Sequence, residues 1–416
     1  MALRWRHWLA FAALSATYYA HVGVLGTYLP LWLKSIGFSV LSIGWLTSLQ
    51  AVTRVFAPYL WGLLSDRSGD RVKWLRWCAS VALLWSAGLL ATRGEWGVPA
   101  LLFLLFSHTS GMMSMNEAAM AHLVSEGGRF DPRRYGRMRL FGSLGFMVAV
   151  FLAGIWFQDQ GLAGFPVWVF VTLVGVTLAT WSLPPASPEP LAQPQGVALP
   201  GGAASVLSVL RQRQVQWFLA SLFFHILAHM GLYVFFSLYL DTLGYSKTWI
   251  GILWAVGVVV EIVWFFTQGR WLHRLSLTAW LMLASALTCL RMGLTAAVGT
   301  SLGWMLLLQC LHCITFAAHH TACVALISHY FPGPLRGRGQ AIYTLVGYGL
   351  SGVLGGVLGG LLVTAFGLSS VYWACSAVAL LGGYCAWRLW RLVHPNAHLL
   401  TSSTKVLNSS MSSKLR

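Results

Sequence analysis

Charge is what this chain has least of. Only 9% of its 416 residues are charged and only ten are acidic, where a soluble protein carries about 25% charged residues. That scarcity argues against a water-soluble globular enzyme. Against the ten acids stand 27 Lys and Arg, a net charge of +17. Nucleic-acid binding needs such an excess clustered on one soluble face, whereas here the bases sit in short loops between apolar runs, so no nucleic-acid partner is expected. Cysteine is sparse and odd in number, seven in all, each inside an apolar stretch, which argues against a disulfide framework. Cys310 and Cys313 form a CxxC within an apolar helix and read as structural. There is no long polar domain to hold a nucleophile–base set, no HExxH, and no soluble sensing module. An enzyme and a receptor are both disfavoured, and no cofactor or metal is expected.

What is present is apolar. Hydrophobic residues make up 57% of the chain, with 22 Trp and 43 Gly, and the mean hydropathy is +0.69. Trp anchors helices at membrane interfaces and Gly lets them approach closely. A bilayer core needs about 20 apolar residues per helix. That ruler predicts an all-α integral membrane protein with twelve spans, near 8–33, 40–63, 73–92, 97–123, 137–157, 165–183, 215–240, 248–268, 277–295, 299–328, 338–364 and 368–390. Arg4 and Arg6 precede the first run as they would in a signal peptide. The run continues to about Leu33, too long for a signal core, so it reads as a retained helix.

The six prolines between Pro184 and Pro200 exclude a membrane helix there. They divide the chain into a six-helix half at 1–183, a Pro-rich central linker at 184–214, a second six-helix half at 215–392, and a polar tail at 393–416 expected to be disordered. With the N-terminus in the cytoplasm, 21 Lys and Arg fall on the inner side and only Lys34, Arg93 and Lys247 outside. The positive-inside rule therefore predicts a multi-pass protein of the inner membrane with linker, tail and both termini cytoplasmic. The basic excess reads as topology and contact with anionic lipids. The expected working unit is a monomer.

Ionisable groups inside a span are costly and are functional candidates by default. Two acids lie deep, Glu117 in the fourth span and Glu261 in the eighth. Arg54, Arg139 and Arg291 are the matching bases, and His229 and His312 join them. Seven such residues spread over both halves point to a shared polar cavity, although Arg54, seven residues before Trp61, is near enough to an interface to snorkel. Gln309, His312, Thr315, Phe316 and His319 share one helical face, as do Trp254, Gly257, Glu261, Trp264 and Gln268. His225 and His229 have metal-like spacing but no carboxylate nearby, so no metal is expected. Gly347, Gly349, Gly352, Gly355, Gly356, Gly359 and Gly360 form small-residue stripes on the eleventh span, with a milder version at Gly142, Gly145 and Gly154 on the fifth.

Between spans two and three stands Gly62-Leu-Leu-Ser-Asp66-Arg67-Ser-Gly69-Asp70-Arg71-Val-Lys73. It resembles the cytoplasmic signature loop of the major facilitator superfamily, Gly-x-x-x-Asp-Arg/Lys-x-Gly-x-Arg/Lys, at the same helix number and side. Asp70 departs from the base that many members have there. The segment Tyr135-Gly136-Arg137-Met138-Arg139-Leu140-Phe141-Gly142-Ser143 looks like the Tyr-Gly-x-x-Arg-x-x-Gly-Ser entry of helix 5 in phenylpropionate-permease-like and oligosaccharide–proton symporters. Asn116-Glu117-Ala118, Gly257 to Glu261, Arg291, Gln309 to Cys313 and Arg338 to Tyr343 agree with the phenylpropionate-permease-like branch.

The resemblance implies two six-helix halves with a central site and rocking alternating access. It places Glu117 and Arg139 at the solute, and Glu261, Arg291 and His312 around proton coupling. Thr315 stands where lactose-permease relatives carry a second Glu. Gly62, Asp66, Arg67, Gly69 and Arg71 become the conformational switch loop.

The leading expectation is a proton symporter. Proton coupling is assigned to Glu261, Glu117, His312 and Arg291. Solute contact is assigned to Arg139, Arg291, Asn116, His229, Trp254, Phe316 and Arg54, with Trp264 and Tyr233 covering an apolar body. Three cavity arginines against two acids favour a small aromatic or similar organic monocarboxylate, since Arg binds a carboxylate through two parallel hydrogen bonds. Should Arg54 miss the cavity, the charges balance and a neutral sugar or nucleoside is favoured. Drug or solute efflux by antiport shares the signature loop and stays open.

Overall fold

The computed structural model describes residues 2–124, 132–184, 206–332 and 335–394, without the side chains of 2–6, 66, 114, 118, 119, 121–124 and 132–139. The Pro-rich linker from 185 to 205 and the tail from 395 onward lie outside the described residues, as do the side chains of Asp66 and Arg139.

A chain this apolar in lipid must satisfy each backbone N–H and C=O internally, and a helix does so within one segment. Twelve helices among the described residues are long and apolar enough to cross a membrane. The first six are α1 (Ala2–Ser35), α2 (Val40–Ser68), α3 (Arg71–Ala91), α4 (Gly97–Val124), α5 (Pro132–Gln160) and α6 (Phe165–Trp181). After a five-residue helix at Val206–Leu210 come α7 (Arg213–Thr242), α8 (Lys247–Thr267) and α9 (Leu277–Val298). Then follow α10 (Leu302–Tyr330), α11 (Arg336–Phe366) and α12 (Leu368–Val393). Twelve crossings put the first and last helix ends on one face, here the terminal face, opposite the far face.

The signature loop is a two-residue turn. Gly69 closes α2 at φ +67, a left-handed conformation that favours glycine, and Asp70 caps α3 by accepting from Lys73 N at 2.9 Å. The acid that departs from the family pattern is therefore a helix cap.

One local design recurs in both halves. Gly37 and Gly244 adopt φ of +97 and +87 just before capping serines. Ser39 accepts from Ser42 N and Ser246 from Trp249 N, opening α2 and α8 alike. Arg54 and Glu261 each stand fifteen positions beyond their capping serine, so they occupy the same register of equivalent helices with opposite charge.

The halves meet mainly through α2 with α11 and α5 with α8. Glycine permits the first contact: a Cβ on Gly44 would run into the Gly356 carbonyl oxygen, and one on Gly352 into Ala51. Gly355 and Gly359, on another side of α11, lie against Met230 and Phe235 of α7. In the α5–α8 contact a Cβ on Gly251 would meet Val150 O at 2.8 Å and one on Gly154 would meet Lys247 O at 2.9 Å.

A polar layer reinforces this closure at the far face. Tyr28 OH donates to Val150 O at 2.8 Å and contacts Lys247 O at 3.3 Å. Gln158 Oε1 accepts from Lys247 N at 2.8 Å. Asp241 pairs with Lys247 and, across the halves, with Lys34 at 3.7 Å.

Two helices depart from continuous α geometry. In α10 a π-helical segment spans Cys313–Ala318, and in α11 another spans Leu345–Leu350. Such widened turns concentrate at functional sites, and both belong to helices facing the centre of the molecule.

Candidate solute-binding cavity

Between the halves lie two adjoining lobes that share part of their lining. The far lobe, about 300 Å³, starts beneath Pro30 and Thr47. The near lobe, about 270 Å³, reaches toward the terminal face at Pro58, Met113 and Thr344. Gln50 and Arg54, one helical turn apart on α2, line both lobes, together with Phe106 and Tyr348. Phe146, Tyr233, Trp254 and Phe316 wall the far lobe. The Trp254 indole is fixed by donating to Ser237 Oγ at 3.1 Å, and Phe316 stacks on His312 with ring centroids 5.0 Å apart.

Arg54 is thus an exposed side chain inside the cavity, not one snorkelling to an interface. Among the described residues lining either lobe it is the one with a formal charge. An arginine among aromatic walls can grip a carboxylate while the rings cover an apolar body.

Arg291 stands elsewhere. It is completely buried and lines neither lobe. Nη1 donates to His312 Nδ1 and to Thr315 Oγ1, both at 3.1 Å, and Nη2 donates to Gln309 Oε1 at 2.8 Å. The Arg291 side chain thus ties α9 to the widened turn of α10. The shared face expected for Thr315 and Phe316 is split by that turn, with Thr315 on Arg291 and Phe316 in the cavity wall.

Direction of donation fixes several imidazoles. His225 Nε2 lies 2.8 Å from Thr315 O, which can only accept, so Nε2 carries the hydrogen and Nδ1 faces Ser285 Oγ at 3.1 Å. His229 Nδ1 lies 2.9 Å from His225 O and is protonated by the same argument. His229 is buried behind the wall and is not in the lining, which places it away from the solute position expected of it.

Glu261 is half-buried on α8, and both it and Arg54 act electrostatically on Tyr233 and Tyr348. Glu117 is half-buried on α4, within reach of Tyr18 as Arg54 is. Asn116, expected at the solute, is buried and donates to Ser15 Oγ at 3.3 Å inside the first half. Trp264 is packed edge-on against Trp280 in the second half's core and lines neither lobe. Of the switch loop, Arg67 is exposed, Arg71 is half-buried, and Gly62 has open space where a Cβ would stand.

Sequence reasoning missed Gln50, Tyr18, His21 and Tyr348 as lining residues. Gln50 offered a signal, since it lies one turn from Arg54.

The comparisons with known proteins agree with this architecture. A family model described as "MFS_1 like family" matches residues 11–374. The chain belongs to the major facilitator superfamily. It is 29% identical to the "Probable 3-phenylpropionic acid transporter" of Escherichia coli (strain K12), over 91% of this chain and 97% of that protein. With the "Maltose permease" of Geobacillus stearothermophilus it shares 25% identity, over 82% of this chain and 84% of that one. The crystal structure of nucleoside transporter NupG superposes with a TM-score of 0.77 at 15% identity, covering 92% of this chain and 99% of that one. As a member of this superfamily the chain is a multi-pass secondary transporter of small molecules, not an enzyme.

Proposed function

We propose that this facilitator imports a small aromatic monocarboxylate together with protons, working as a monomer in the inner membrane among anionic lipids. One observation carries the reading. Arg54 stands in a cavity whose other described lining residues are uncharged, with Phe106, Phe146, Tyr233, Trp254, Phe316 and Tyr348 among aliphatic and neutral polar side chains, a setting matched to one carboxylate on an aromatic body. The 29% identity with a protein named as a probable 3-phenylpropionic acid transporter supports the same solute class. The terminal face, where the bases gather, is taken as cytoplasmic, so closure at the far face makes this the inward-facing state.

In this scheme Arg54 binds the carboxylate, with Arg139 as a further contact. Glu261 carries the proton, as an ionisable carboxyl placed inside a span, where such groups mark proton and solute paths. Glu117 is the second candidate carrier, and Arg291 and His312 hold the second half around Glu261. The loop of Gly62, Asp66, Arg67, Gly69 and Arg71 acts on switching between states.

Uptake into proteoliposomes under an imposed proton gradient tests the reading. Phenylpropionate is expected to compete for the site and its uncharged amide to fail. Equal inhibition by the two overturns the carboxylate assignment and favours the second reading, a neutral sugar, for which the maltose permease relative speaks.

A further inference from the structure

We infer that Gln50 is a specificity residue of the solute site, donating an amide N–H to the same carboxylate that Arg54 grips, so that one face of α2 holds the anion. The inference rests on the carboxylate reading of the function.

The lining that the two lobes share includes the apolar Val22, Leu25 and Phe106 and the polar Gln50, Arg54 and Tyr348. Tyr348 is already engaged, with its hydroxyl 3.5 Å from that of Tyr343, which in turn lies 2.8 Å from His320 Nδ1. The Gln50 and Arg54 side chains are not. Neither has a hydrogen-bond or ion-pair partner among the described residues. Arg54 is exposed and Gln50 partly so, and neither end of the Gln50 amide belongs to the buried unpartnered atoms. Both side chains therefore carry unspent donors that a molecule in the cavity can reach.

Their spacing decides what those donors can share. Residues four apart on a helix stand on one face, close enough for their side-chain ends to meet. The hydroxyls nearby on α2 have spent their hydrogens on the backbone: Thr47 Oγ1 donates to Ile43 O at 3.0 Å and Thr53 Oγ1 to Gln50 O at 2.9 Å. An ionised carboxylate accepts at about four lone-pair sites on its two oxygens, and a guanidinium fork occupies two of them. The remaining sites flank the fork, and an amide N–H from one turn away meets one of them. Along α2, Gln50 lies one turn closer than Arg54 to the far face, the side on which Phe146, Tyr233, Trp254 and Phe316 wall the far lobe. A carboxylate held by both side chains directs its aromatic body into that lobe. A neutral carbonyl makes weaker bonds to the same donors, so the pair favours acids.

The test is equilibrium binding of 3-phenylpropionate and its uncharged amide to the full chain in nanodiscs. Gln50→Met keeps the length of the side chain and removes its donors. It is expected to weaken binding of the acid about tenfold, the order of one hydrogen bond to a charged group, with the affinity for the amide changed far less. Gln50→His keeps an N–H and is expected to retain part of the acid affinity, which guards against a packing defect in the Met variant. Gln50→Glu places an acid four residues before Arg54, the favourable order for a helical ion pair. It is expected to occupy the guanidinium and abolish the preference for the acid over the amide, an effect that a merely structural role for Gln50 does not produce. Wild-type affinity for the acid in Gln50→Met, an equal loss for acid and amide, or a full preference for the acid surviving in Gln50→Glu overturns the role of Gln50 and leaves the carboxylate reading intact. Equal binding of acid and amide by the wild type overturns the carboxylate reading, and the inference with it.

Discussion

Arg291 donates through Nη1 to His312 Nδ1 across 3.1 Å, with both side chains buried inside the second half. The direction matters, because a guanidinium can only donate and an imidazolium has no lone pair to receive it. His312 is therefore neutral while this bond exists, with its hydrogen on Nε2. Protonating His312 and holding Arg291 by this bond are alternatives, and the helix tie between α9 and α10 changes with them.

His312→Ala takes from Arg291 a partner that no water can easily replace. The expected loss is about 1.5–3 kcal/mol of stability, the range for hydrogen bonds to charged groups, read as a lower unfolding midpoint in detergent. His312→Gln, which offers an acceptor oxygen, recovers part of it. Full stability of the Ala variant argues that Arg291 is satisfied without the imidazole.

Coupling is the next expectation. Glu261→Gln mimics a permanently protonated carboxyl, so accumulation against a gradient is lost while solute exchange continues. Counterflow beside proton-driven uptake in the same vesicles separates the two. Accumulation at wild-type level removes Glu261 from the proton path.

The far-face layer makes a third prediction. Lys34 and Asp241 come from different halves and lie 3.7 Å apart, so they must separate whenever that face opens. Asp241→Asn is expected to raise the outward-open population a few-fold, seen as longer spin-label distances between the far ends of α1 and α7. Unchanged distance distributions argue that the glycine contacts alone hold the closure.

For the signature loop, Asp70→Ala removes the cap on α3 at a cost of about 1 kcal/mol. Asp66→Asn, by contrast, is expected to slow transport with solute affinity held within a few-fold. A large affinity loss at normal turnover contradicts the switching role of Asp66.

Gly26 offers a cleaner probe of the cavity. It lines the far lobe, and a Cβ there meets nothing within 4 Å. Gly26→Leu therefore fills solute space without displacing backbone, and at least a tenfold loss of affinity with little change in folding is expected from titration calorimetry and thermal unfolding.

The twelve helices were legible because apolar runs long enough to cross a bilayer have few other uses. The loop glycine at 69 and the stripe on α11 were legible because glycine is costly unless a conformation or a close approach requires it. Helix rotation was not legible. A basic residue near a span end reads alike whether it faces lipid or cavity, and only packing turns Arg54 inward and Arg291 behind the wall. The widened turns in α10 and α11 leave no trace in hydropathy, which is why Thr315 and Phe316 were expected on one face. Gln50 is neutral and costs less in a span than an ionisable group, so its signal was weaker, whereas His21 carried the same signal as His229 and His312 and was passed over.

The matched register of Arg54 and Glu261 gives the central space an electrical sense of direction. Two copies of one helical design carry opposite charges at the same register, yet among the described residues Arg54 alone presents its charge to the space, since Glu261 lines neither lobe. The chamber's charge is therefore one-sided and fixed on the first half, so an anionic group that enters is drawn toward that half.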